Sequence, residues 1–98
     1  MHYRIIISEK AENDIGLAME YYNQQQLGLG KRFLSEVNHT ISDIHKSPFY
    51  QIRYDDVRCL KVKKFPFMIH FRFHERENKI MVEAVVHTSL NPDDNWIE

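Results

Sequence analysis

The sequence predicts an α+β domain, with a hairpin of two helices laid on one face of a small antiparallel sheet in the order β-α-α-β-β-β. Three features carry this expectation. Two segments in the first half repeat apolar residues at helical spacing, with a glycine-containing break between them. Three β-like runs follow in the second half, each bounded by a short turn. The middle run alternates without a fault: Phe67, Ile69, Phe71 and Phe73 point one way, and Met68, His70, Arg72 and His74 the other. A chain of 98 residues with 43% hydrophobic content has material for one core, so residues 1–98 read as a single domain.

The opening run, His2 to Ser8, contains Ile5-Ile6-Ile7 and reads as a strand. Ser8 is placed to cap the first helix, with Glu9 and Glu12 favourable in its first turn. Ala11, Ile15, Ala18 and Tyr22 form the apolar stripe of that helix, which should stop before Gly28-Leu29-Gly30. Phe33, Val37, Ile41 and Ile44, with Leu34 beside them, make the stripe of the second helix. Ser47-Pro48 ends it, because proline disfavours helix in the residue before it. Tyr50 to Tyr54 is a short candidate strand, and Val57 to Lys64 a longer one. Lys64-Phe65-Pro66-Phe67 then turns the chain into the alternating run. In the last run, Lys79 to His87, alternation puts Ile80, Val82, Ala84 and Val86 on the core face, and Met81, Glu83, Val85 and His87 on the other.

The two faces differ in chemistry. One joins Leu60, Val62, Ile69, Phe71, Val82 and Val86 to Phe33, Val37 and Ile41 of the second helix in a core. The other collects Lys61, Lys63, His70, Arg72, His74, Glu83 and His87, with Met68, Met81 and Val85 among them. From Arg53 to Arg72 there are six Lys or Arg residues against Asp55 and Asp56 alone. Such a face suits contact with something outside the protein. The whole chain is nevertheless near neutral, at -1, which argues against strong non-specific nucleic-acid affinity.

Other classes are disfavoured by composition. A single cysteine, Cys59, permits no internal disulfide and no Cys-rich zinc site. The six histidines are scattered, and none forms an HxxxH pair on an expected helix, so no metal and no cofactor is expected. No signal peptide or membrane-spanning run is visible, and a cytoplasmic protein without a membrane partner is the plain reading.

The order and spacing of these segments resemble the RelE/ParE superfamily of toxins from type II toxin–antitoxin systems. The likeness runs through Ala11-Glu12-Asn13-Asp14-Ile15, Tyr21-Tyr22, Gly28-Leu29-Gly30-Lys31-Arg32-Phe33, Val57-Arg58, Lys64-Phe65-Pro66-Phe67 and Ala84-Val85-Val86-His87-Thr88-Ser89. It implies a plasmid-stabilisation type toxin that inhibits growth and is neutralised by a cognate antitoxin. It also implies one of two targets. RelE-like members cleave mRNA on the ribosome, and ParE-like members inhibit DNA gyrase.

Ribonuclease chemistry without a metal needs a base, an acid and cations for the phosphate. On this sequence Arg72 would hold the phosphate, with Glu83 and His87 as acid–base groups. Arg58, Lys61, Lys63 and His70 would bind RNA or another target. Against this, the chain lacks the strong basicity usual in RelE-like toxins, no tyrosine follows Tyr54, and His87 is followed by Thr88. The sequence therefore leans slightly to the gyrase inhibitor. Tyr21, Tyr22, Met68 and Met81 are candidate antitoxin contacts. A third reading is an inactive module whose task is to hold the antitoxin. The bland reading of the same residues is a solvated sheet face, with His87 paired to Glu83 or capping a turn, and Trp96 packed at the domain edge.

Overall fold

The computed structural model describes residues 3–90, so Trp96 lies outside the described residues. The elements run β1 (Arg4–Ile7), α1 (Glu9–Gln25), α2 (Leu29–Lys46), β2 (Ile52–Tyr54), β3 (Val57–Lys61), β4 (Phe67–His74) and β5 (Lys79–His87). Short 3₁₀ turns follow β4 and β5. The α+β expectation holds, with the helix hairpin on one face of the sheet.

The strand order is β1-β5-β4-β3-β2. The second half is an antiparallel meander, as expected, but β1 joins β5 in parallel, pairing Arg4–Ile7 with Lys79–Val82. The sheet is therefore mixed, which corrects the wholly antiparallel expectation. Local alternation specifies which face a strand buries, whereas the partner of an isolated first strand is chosen across the length of the chain. The short segment before β3 does form a strand, and it is the far edge of the sheet. β3 ends at Lys61, short of the expected Lys64, because the chain turns at Lys64 with φ 70°.

Ser8 fixes the start of α1. Its Oγ accepts from Ala11 N at 3.0 Å and donates to the Glu83 carbonyl at 2.9 Å, so one side chain caps the helix and ties it to β5. The hairpin turns at Gly28, whose φ of +89° suits glycine. Two residues later the helices touch. A Cβ on Gly30 would lie 2.5 Å from the Met19 carbonyl oxygen, and Gly30 N donates to Asn23 Oδ1 at 2.9 Å. Phe33, Val37, Ile41 and Ile44 of α2 are all buried, and the helix ends at Ser47 before Pro48, as expected. Phe33, Tyr22, Phe65 and Phe67 then meet edge-on and tilted, with ring centroids 4.9–6.2 Å apart, and fill the space between hairpin and sheet.

One irregularity decides which residues share a face. β4 and β5 pair His70 with Ala84 and Phe71 with Val82, leaving Glu83 as an extra residue in a β-bulge. Up to Val82 the alternation runs as read. Beyond the bulge it reverses, since one inserted residue exchanges the two faces. Val85 is buried in the main core, and His87 lies opposite Phe67 on the helix side. Ala84 and Val86 pair with His70 and Met68 on the outer face. The expected outward placement of Val85 and His87 is thus corrected.

Candidate functional site

The outer face, away from the helices, is less polar than its sequence suggests. Val57, Cys59 and Met68 bury one another in a second small cluster. His70 is 6% exposed, and Tyr54, curling in from β2, places its hydroxyl 2.8 Å from His70 Nδ1. Burial, with a smaller contribution from the Lys10 charge, pushes the His70 imidazole down to about 4, while Asp14 opposes the shift. Burial likewise pushes the Cys59 thiol up to about 11, so Cys59 is an inert thiol at neutral pH. The Tyr54 phenol is raised, first by burial.

Beside this pair stands Arg72, paired with Met81 across the ladder. Its Nε lies 3.8 Å from Glu83 Oε2, an ion pair too long to be a hydrogen bond. Arg72 Nε is buried and has no hydrogen-bond partner among the described residues. Tyr54, His70, Arg72 and Glu83 form one constellation. The sequence gives little sign of Tyr54's part, because its strand is only three residues long.

The remaining sequence-predicted residues disperse. Lys61 bends back to donate from Nζ to the Val62 and Phe65 carbonyls at 3.0 and 3.1 Å, closing the β3–β4 turn. Lys63 is exposed in that turn. Arg58 lies on the helix side, where it donates to the Pro48 and Tyr50 carbonyls and stacks over Phe73 at 5.7 Å. It anchors the α2–β2 connection, and that placement does not aim it at a target on the outer face. Met68 is buried, while Met81 is half-buried on the outer face.

His87 belongs to a different place. A cavity of about 500 Å³ opens between α1 and the end of β5, lined chiefly by Leu17, Ala18, Tyr21, Tyr22, Phe67 and His87. The His87 ring is 5.1 Å from the Phe67 ring, and Ser89 supplies both its N–H and its hydroxyl to His87 Nδ1, at 3.0 and 2.7 Å. Tyr22 forms the floor and its phenol is raised, first by burial, whereas Leu17 and Tyr21 remain 58% and 57% exposed at the rim. At the far end Asp14 holds Lys10 Nζ at 3.0 Å and accepts the Val85 amide at 3.0 Å. Of the four residues expected to meet a partner protein, Tyr21 and Tyr22 share this groove and Met68 and Met81 lie across the sheet. No group of three or more His, Cys, Asp or Glu side chains able to hold a metal exists among the described residues. No described helix is long and apolar enough to cross a membrane.

Comparison with known proteins bears on the fold. No family model matches the sequence, and no curated protein matches it. Among solved structures, a chain of the chromosomal ParDE toxin–antitoxin system from P. aeruginosa superposes with a TM-score of 0.78 at 13% identity, covering 88% of this chain and 96% of that one. A chain of the intact E. coli RelBE toxin–antitoxin complex gives 0.61 at 15% identity, covering 85% and 93%. The chain has the RelE/ParE-like fold over nearly its whole described length.

Proposed function

We propose that this chain is the toxin of a type II toxin–antitoxin pair, bound and neutralised by a cognate antitoxin, and that it acts by ParE-like inhibition of DNA gyrase. The observation that carries the choice of target is the bulge at Glu83. It sends His87 to the helix side while Arg72 and Glu83 stay on the outer face. The His87 imidazole is thereby separated from the cation that would hold a phosphate, and reacting groups must converge on one substrate to act together. The near-neutral chain and the higher TM-score against the ParDE chain support the same reading. Action by binding then falls to the outer face, with Arg72 as its cation and Lys63 exposed in the adjoining turn.

A second reading is favoured by one contact. The Tyr54–His70 pair beside Arg72 and Glu83 is the set that RelE-like cleavage of ribosome-bound mRNA would use, although the depressed, buried imidazole is a weak base at neutral pH. The two readings part in parallel assays of gyrase supercoiling and of mRNA cleavage on ribosomes. Purified protein is expected to block the first and leave the second unchanged. Cleavage that Arg72→Ala or Tyr54→Phe abolishes would replace the gyrase reading with the ribonuclease one.

A further inference from the structure

The net charge of -1 hides an uneven distribution. Residues 21–35 and 57–74 contain no Asp or Glu, and the fold brings parts of both to one corner of the molecule, around the turn that joins β3 to β4. On the helix side, Arg32 of α2 and Lys64 of the turn line a cavity of about 320 Å³ over Tyr22, Phe65 and Pro66. On the outer face, Lys61 and Arg53 line one of about 500 Å³ beside Cys59 and Met68. Lys63 is exposed in the turn between them. Glu36 is the one carboxylate among the residues that line the two cavities, and it faces His39 at 3.9 Å. The turn that carries these cations is fixed. Lys61 Nζ is held by the Val62 and Phe65 carbonyls, Val62 N donates to the Phe67 carbonyl at 2.9 Å, and Thr88 N donates to the Pro66 carbonyl at 2.8 Å. Phe65 is buried edge-on to Tyr22 and Phe33. Lys64 sits at φ 70°, a left-handed conformation that non-glycine residues rarely adopt, so tertiary contacts hold the backbone there. Cations carried on a fixed backbone lose less freedom when they meet a ligand.

We propose that this basic corner, formed by Arg32, Lys64, Lys63, Lys61 and Arg53, binds the phosphate backbone of duplex DNA. The cations lie on both sides of one turn and do not converge on a point. That arrangement suits a line of closely spaced charges better than a single carboxylate or phosphate. Duplex DNA presents one charge per about 1.7 Å of its axis. Contacts to its phosphates carry no base sequence, so the binding is independent of sequence. On a near-neutral chain the contact is weak by itself, with a Kd of about 10⁻⁴ to 10⁻⁶ M. It gains strength when a bound target already holds DNA beside the chain, because the second contact is then intramolecular. The choice of DNA among polyanions rests on the proposed function, since gyrase works on a DNA duplex.

The test titrates the intact chain into a fluorescein-labelled duplex of about 20 base pairs and reads anisotropy between about 50 and 200 mM KCl. The logarithm of the binding constant is expected to fall against the logarithm of salt with a slope of about -3 to -4.5, the value for four or five phosphate contacts. The double variant Arg32→Glu with Lys64→Glu, both at exposed positions, should weaken binding by about tenfold or more and flatten the slope by about 2, with the circular dichroism of the chain unchanged. Arg4→Glu with Arg76→Glu makes the same change in net charge away from this turn and should leave binding within about twofold of wild type. Wild-type affinity of the first variant, an equal loss in the second, or a slope near zero overturns the proposal. So does tighter binding at the same salt to a single-stranded RNA of equal length, or to phosphatidylglycerol vesicles of equal phosphate concentration, because the corner then serves another polyanion. A chain that binds the duplex through Arg32 and Lys64 yet leaves supercoiling untouched keeps this inference and removes the gyrase reading. A chain that blocks supercoiling without binding the duplex does the reverse.

Discussion

His87 and Arg72 stand on opposite faces of one sheet, although simple alternation from Arg72's partner Met81 would place them together. Glu83 is the reason: as the extra residue of the β4–β5 bulge it exchanges the faces for everything after it. The two side chains share no partner, since Arg72 faces Glu83 while His87 faces Phe67 and Ser89. Their substitutions should therefore act independently. In a double-mutant cycle of Arg72→Ala and His87→Ala, chemical denaturation is expected to give a coupling within about 0.5 kcal/mol of zero. A coupling above about 1 kcal/mol would place them in one network.

The buried His70 makes stability depend on pH. Its imidazole titrates at about 4 in the fold against an ordinary value of 6.5. Between those values the unfolded chain binds the extra proton, so stability is full above about 6.5 and falls as pH drops toward 4. The loss from this group is about 1–3 kcal/mol. Its surroundings are Tyr54 from β2, Cys59 from β3, and Lys10 and Asp14 from α1. Urea midpoints of wild type and His70→Gln across pH 4 to 7 check this: the substitution should flatten the slope over that window.

How far this architecture could be read in advance depended on range. Ser8, Gly28 and the Phe33, Val37, Ile41 and Ile44 stripe act through neighbours a few residues away, and their roles were visible in the sequence. The parallel pairing of β1 with β5 joins residues 75 positions apart, and nothing local announces it. The bulge was hidden for a related reason. Lys79 to His87 alternates in sequence, and only its pairing against β4 reveals one residue too many. Of the polar face, Arg72, Glu83 and His70 lie together on the outer side, whereas His87 lies on the helix side, as does Arg58, the expected target contact. Tyr54 and Asp14 carry no local signal, because each acts on a distant strand, Tyr54 on His70 and Asp14 on Val85.

The two helical glycines should answer oppositely to the same change. Gly30→Ala drives a Cβ to 2.5 Å from the Met19 backbone oxygen, which cannot yield as a flexible side chain would. A loss of about 1–3 kcal/mol is expected, the scale of overpacking. Gly16 has nothing within 4 Å of its Cβ position and sits on the exposed side of α1, so Gly16→Ala should gain about 0.5–1 kcal/mol. Thermal melts of the two variants settle the comparison.

Ser8→Ala removes a helix cap and the donor to the Glu83 carbonyl in one step. A cost of about 1–2 kcal/mol is expected. Ser8→Thr keeps both bonds in reach and should recover most of it. Denaturant unfolding of the pair distinguishes the hydrogen bonds from a general effect of size at this position.

The proposal that the chain acts by binding gyrase is tested most directly by a supercoiling assay with the purified protein and purified gyrase. Supercoiling is expected to stop as the protein is titrated in, and to recover when the partner encoded in the adjacent reading frame is added. Undiminished supercoiling at a high excess of folded protein would contradict it.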